Sequence, residues 1–120
     1  MTNRPAKQQA MKLAAASRSA PTLPPPPRGL SPSTRRWWKA VLALFQLEAH
    51  HLRVLEGACL AWDRAEEARR AVDEHGVVVA DRWGQLRANP ATVVERDQRA
   101  LFGRLVGQLG LDVPAPGTGR

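Results

Sequence analysis

Apolar and small residues recur at spacings of three and four through residues 48–76: Leu52, Leu55, Cys59 and Trp62, continued by Ala58, Ala61, Ala65, Ala68 and Val72. That period predicts one uninterrupted helix with a single buried face. Glu56, Asp63, Arg64, Glu66, Glu67, Arg70, Asp73 and Glu74 fall on its outer side, and Gly76 supplies the left-handed residue that commonly stops a helix. At 1.5 Å per residue the rod is about 40 Å long. Its far end needs cover, and the small-residue strip admits another backbone at close range. A second helix of this chain or a neighbouring subunit would serve.

Ahead of it, Ser31 and Pro32 form a helix start, serine as N-cap and proline at the first helical position. The first helix runs to about residue 45, with Trp38, Val41, Leu42 and Phe45 on one face and Arg35, Arg36 and Lys39 elsewhere. Trp37 and Trp38 sit about 100° apart around the axis, so one enters the core while the other is turned aside. Trp37 is then an intersubunit contact or an edge-of-core residue, with stacking on nucleic acid as a third role. A break of residues 46–48 leads into the long helix. The two helices do not suit a helix-turn-helix reader, because the second carries seven acids against four bases and would be repelled by phosphate. An antiparallel hairpin is the better reading.

After Gly76 the pattern changes to Val77, Val78, Val79 and Ala80, a polar turn of Asp81, Arg82, Trp83 and Gly84, and a return through Gln85, Leu86, Arg87 and Ala88. This predicts a small β-hairpin, which must pack on the helices or pair with another copy. Arg82, Trp83 and Arg87 would face DNA or a neighbour. Asn89 and Pro90 repeat the earlier start signal and open a last helix to about residue 109. Val94, Gln98, Leu101, Leu105 and Leu109 make one strip, flanked by Phe102 and Val106, and Gly110 is the stop. The fold class is therefore mainly α: a helical hairpin with one long central helix, a small β-hairpin and a C-terminal helix, flanked by disordered tails.

Composition sets the boundaries of that body. Residues 1–29 are rich in Ala, Ser, Gln, Pro and basic side chains and end in four consecutive prolines, Pro24 to Pro27. Such a segment cannot offset its ordering entropy and reads as a disordered basic arm, stiffened into polyproline II near its end. Residues 30–111 form the helical domain, and residues 112–120 a flexible C-terminal tail. A core of about 80 residues is marginal alone, and oligomerisation is one remedy. The longest apolar run, residues 40–45, excludes a transmembrane helix and a secretory leader.

Charge is one-sided. Arg4, Lys7, Lys12, Arg18, Arg28, Arg35, Arg36 and Lys39 share residues 1–46 with no acid, while all eleven Asp and Glu lie beyond them and the whole chain carries +7. A basic arm leading into a basic helix points to a polyanion, nucleic acid ahead of a membrane because no apolar face accompanies the charges. The plainer alternative is a solubilising tail.

Catalytic chemistry is not visible. Ser17, Ser19, Ser31 and Ser33 lie in the tail or at the first cap, without a histidine or carboxylate pattern that marks a nucleophile. Cys59, the single cysteine, sits within the apolar strip and reads as a buried, inert thiol. His50, His51 and His75 form no metal-ligand spacing. Gly103 and Gly107 lie at helical spacing and not in a phosphate loop. The chain reads as a non-enzyme with no cofactor and no metal.

The order of these features resembles the small terminase subunit of tailed double-stranded-DNA bacteriophages. The resemblance is carried by Leu30, Ser31 and Pro32 leading to Trp38; by Leu52, Leu55, Cys59 and Trp62 on the long helix; by Gly76 followed by a hairpin; by Asn89 and Pro90; and by Gly110, Leu111 and Pro114. It implies a non-catalytic DNA-recognition subunit that assembles into a ring larger than a dimer, binds the packaging-initiation site of viral DNA, and presents it to the large subunit that holds the ATPase and nuclease. Its place would be the cytoplasm of the bacterial host. Double-stranded DNA, the large terminase subunit and further copies of the chain are the implied partners.

The expected DNA contacts are the eight cations of residues 1–46, those on the ordered first helix being the better candidates for fixed contacts. Core or oligomer-interface roles fall to Trp37, Trp38, Leu55, Cys59, Trp62, Trp83, Leu101 and Leu105. Two other readings stay open, an oligomeric protein-interaction adaptor and a small DNA-binding transcriptional regulator.

Overall fold

A computed structural model of the chain describes residues 23–111 and 114–117. It contains helix α1 (Pro32–Leu44), helix α2 (Ala49–His75), strands β1 (Val78–Ala80) and β2 (Leu86–Ala88), and helix α3 (Pro90–Leu109). The architecture is mainly helical with one antiparallel hairpin of two strands.

Local chemistry accounts for each boundary. Ser31 caps α1, its side chain accepting the Thr34 N–H, with Pro32 filling the first helical position. Asn89 does the same for α3, accepting from Ala91 N–H at 3.0 Å, while its Nδ2 donates to the carbonyl of Gly76 at 2.8 Å. That second bond ties the start of α3 to the end of α2. Gly110 closes α3 in the left-handed region at φ 69°, and Leu111 N–H reaches back to the carbonyl of Val106. In the hairpin, Asp81 Oδ1 accepts from the N–H groups of Trp83 and Gln85, both at 2.9 Å, and so shapes the turn.

α2 and α3 run antiparallel along one another. Successive contacts mark the pairing: Arg69 with Glu95, Glu66 with Arg99, Trp62 with Phe102, and Gly57 against Leu105. Ala58, Ala61, Ala65 and Ala68 are buried along the α2 strip. The last helix of the same chain thus takes one of the two covering roles that the long rod left open. At Gly57 the approach is close enough that a Cβ would stand 3.3 Å from Leu105 Cδ1.

α1 lies beside the first half of α2 in the opposite sense, starting against Asp63 and ending at the connection into Ala49. Leu30, Trp37, Trp38, Val41, Leu42, Leu55 and Cys59 form the core cluster, with Phe45, Leu47, Leu52, Phe102, Val106, Leu109 and Leu111 packed around it.

Two sequence expectations are corrected here. Both tryptophans are buried, Trp37 at 7 % exposure and Trp38 at 1 %. Neither is turned aside, because α1 is covered on two sides. Trp38 Nε1 donates to the carbonyl of Pro24 at 2.9 Å, and Trp37 Nε1 to that of Pro114 at 2.7 Å. These bonds tie the proline segment and residue 114 to the body, and Pro116 is buried as well.

The second correction is confined to the start of the α3 strip, since Gln98, Leu101, Leu105 and Leu109 are half-buried and Leu105 faces Gly57. Phe102, Val106 and Leu109 meet the core, whereas Val94 is 44 % exposed and no residue of α3 is fully buried. Phe102 sets this rotation by lying between Trp37, 5.6 Å away, and Trp62, 4.9 Å away.

Candidate nucleic-acid interface

Arg35, Arg36 and Lys39 are exposed on α1 and span an arc of about 100° at the helical angle per residue. Trp38, Val41 and Leu42 occupy the buried side of the same helix. Burial of the apolar side therefore holds the basic side outward. Arg35 Nη1 donates to the carbonyl of Leu30 at 2.8 Å, which fixes the direction of its side chain and leaves its charge uncompensated. Among the described residues, Arg36 and Lys39 form no ion pair.

Elsewhere in the body most arginines are held by carboxylates, while Arg70, Arg82 and Arg104 form no ion pair among the described residues. Arg53 pairs with Glu56 at 3.3 Å, Arg64 with Glu67 at 3.2 Å, Arg69 with Asp73 at 3.1 Å and Arg87 with Asp81 at 2.9 Å. Arg99 meets both Glu66, at 2.8 Å, and Glu95, at 3.1 Å, and lies over the Trp62 ring at 4.7 Å. Burial works against the Arg99 charge, while the hydrogen bonds it donates to Glu66 and Glu95 favour it; the net direction is upward. The acids of α2 and α3 are thus largely engaged within the helical pair. The cations of α1 are not.

Asp63 anchors the basic helix. Its Oδ2 accepts the Ser31 N–H at 2.7 Å, and its Oδ1 accepts the Thr34 hydroxyl at 2.6 Å and lies 3.0 Å from Ser31 Oγ. A carboxylate at a helix N-terminus is favoured by the unsatisfied N–H groups and dipole there. In the sequence Asp63 is one acid of an exposed α2 face, and nothing local marks its partner.

The other expected cations divide in two. Arg28 lines a groove with Ser31, Ser33, Asp63, Arg64 and Arg70, beside the start of α1. Arg4, Lys7, Lys12 and Arg18 lie outside the described residues. Of the residues expected in core or interface roles, Trp37, Trp38, Leu55 and Cys59 belong to the core cluster. Trp62, Leu101 and Leu105 are half-buried. Trp83 stands at the hairpin turn, 69 % exposed, with the Arg82 guanidinium 4.4 Å over its ring.

Two titratable features complete the surface and core. Burial, then the charges of Asp63 and Glu56, pushes the Cys59 thiol up to about 12, so it is protonated and unreactive at neutral pH. Ligand atoms of Glu48, His50 and His51 lie within 4.8 Å of one another at the start of α2. Sequence spacing did not suggest this group, because Glu48 is the extended N-cap residue and its side chain turns back toward the two histidines. Among the described residues, no helix is long and apolar enough to cross a membrane.

A family model described as phage terminase, small subunit, matches residues 34–115. The match takes in α1, α2, the β-hairpin and α3. Neither the curated proteins nor the solved structures include a match to this chain.

Proposed function

Because the chain belongs to the small-subunit family of phage terminases, we propose that it is the non-catalytic DNA-recognition subunit of the packaging machine. It binds the packaging-initiation site of viral DNA as a ring oligomer and presents that DNA to the large ATPase and nuclease subunit. It acts in the cytoplasm of the bacterial host. The observation that carries the DNA-binding reading is the set of cations on α1, Arg35, Arg36 and Lys39, exposed and without carboxylate partners among the described residues. Acids elsewhere are mostly paired with neighbouring arginines, so the body does not neutralise this face.

The mechanism follows from charge and repetition. Each copy presents the three cations of α1, preceded in sequence by the cations of residues 1–29, and several copies in one assembly act together on one duplex. Weak phosphate contacts then add through effective concentration. Choice of site comes from the shape and bending of the DNA around the assembly. The segments divide the labour: the basic residues that precede α1 in sequence capture DNA, and the helical domain of residues 30–111 assembles and orients it.

The test is duplex binding by fluorescence anisotropy at low and high salt, with mass in solution measured alongside. The expected result is an assembly larger than a dimer that binds DNA tightly only at low salt. Replacing Arg35, Arg36 and Lys39 together by Glu should lower affinity at least tenfold while the mass is unchanged. Equal affinity in that variant would sink the α1 reading. An adaptor would ignore DNA, and a transcriptional regulator would be a dimer on a palindromic site.

A further inference from the structure

The strand register pairs Val78 with Ala88 and Ala80 with Leu86. Directly opposed residues share one face of an antiparallel pair. One face of the hairpin is therefore Val78, Ala80, Leu86 and Ala88, wholly apolar, and all four are exposed. The opposite face carries Val79, half-buried, and Arg87, bonded to Asp81. An isolated hairpin of two short strands is barely stable in water, and such a face is the side that needs cover.

We propose that this face docks on a second copy of the chain, seated against Val93 and Val94 at the start of the neighbour's α3. The inference rests on the ring assembly given under Proposed function and names the surface that closes it. Three observations select a second copy. The face itself carries no charge, which disfavours nucleic acid as its occupant. An apolar acceptor of similar character exists on the chain: Val93 and Val94 are 45 % and 44 % exposed.

Donor and acceptor also lie at the same end of the molecule, because Asn89 N–H bonds the carbonyl of Val77 and α3 starts at the next residue. Rotation about a ring axis along the helices leaves height unchanged, so a head-to-tail contact joins surfaces at one level. Val78 and Leu86 of one copy, 51 % and 76 % exposed, and Val93 and Val94 of the next supply the apolar atoms of the contact.

The test uses the full chain. Mass is measured by sedimentation at several concentrations for the parent chain, for Leu86→Glu, and for Leu86→Glu combined with Val94→Lys. The single variant should raise the dissociation concentration at least tenfold with unchanged helicity by circular dichroism, and the pair should regain most of the loss through the new opposite charges. An assembled parent whose mass Leu86→Glu leaves untouched overturns the docking surface and spares the ring. A monomeric parent overturns the ring reading itself.

A second arm covers the case in which Leu86→Glu does not fold. Leu86→Cys with Val94→Cys should give covalent multimers on mild oxidation, with the buried Cys59 thiol not competing. Only monomers after oxidation would reject the contact.

Discussion

Asp63 accepts the backbone N–H of Ser31 at 2.7 Å across 32 residues of sequence, so the N-cap residue of α1 is held by a side chain of α2. The same carboxylate takes the hydroxyl of Thr34, a fully buried residue. Asp63→Ala should lower stability by about 1–3 kcal/mol, since it removes charge-assisted bonds and leaves the Thr34 hydroxyl proton without its acceptor. Urea denaturation checks it. Thr34→Val should be less damaging in the Asp63→Ala background than in the parent, because the polar partner has already gone. Simple additivity of the two changes would mean that the carboxylate and hydroxyl do not act as a unit.

Gly57 faces Leu105 across the α2 and α3 pair, with 3.3 Å available to an added Cβ. Leu105 is half-buried, and the atom in the way is the end of its side chain, which can rotate by a few tenths of an ångström. Glycine inside a helix is worse than alanine by about 1 kcal/mol, so Gly57→Ala should be stabilising by about 0.5 kcal/mol after that adjustment. Gly57→Leu should instead destabilise by about 1–3 kcal/mol through overpacking. Thermal melts of the two variants should move in opposite directions.

Cys59 supplies a pH test in the alkaline range. Its folded thiol is pushed up to about 12, above the ordinary 9.0, so the unfolded chain loses its proton first as pH rises. The contribution of this group is fully present below pH 9.0 and declines progressively as pH rises toward about 12. Cys59→Ala should flatten the decline in stability over that window, apart from a constant packing loss. Alkylation offers a second readout: at about pH 8, near the ordinary thiol range, Cys59 should react only in denaturant. Rapid modification of the native chain would show that it is not buried.

Asp81 reports the acid side. The Arg87 hydrogen bond, helped by the Gln85 and Trp83 N–H groups, holds its carboxyl below the ordinary 3.8. A depressed folded pKa stabilises above the unfolded value and loses that contribution as pH falls through the folded one. The hairpin amides of residues 83 and 85 should therefore lose their downfield shifts below the usual carboxylate range, followed by NMR. Asp81→Asn should abolish that titration while the helices keep their spectra.

Arg36 and Lys39 allow the DNA reading to be counted. Removing one phosphate-binding cation should reduce the slope of log affinity against log salt by about 0.9. Replacing both by Gln should therefore lower the slope by about 1.8 per copy engaged and weaken all duplex sequences to a similar extent. A change confined to one sequence would assign these residues to base recognition.

Helix starts, stops and the hairpin turn were legible residue by residue. Ser31 with Pro32, Asn89 with Pro90, Gly76 and Gly110 each act on backbone groups a few positions away, and the structure places the helix ends at those residues. Asp81 to Gly84 form the turn for the same reason. The exposed basic side of α1 was readable too, since charge stays in water while Trp38, Val41 and Leu42 leave it.

What needed the tertiary structure was every partnership between distant residues. The sequence by itself determined that α2 had a long small-residue face; only packing decided that α3 of the same chain covers it, with Glu66 and Glu95 both reaching Arg99. It likewise determined that the two tryptophans point in different directions. Burial of both depended on Pro24 and Pro114 arriving from opposite ends of the chain to accept their N–H groups. Caps and turns are settled by neighbours along the backbone, whereas a carboxylate, an indole or an arginine takes whichever partner the fold brings within about 3 Å.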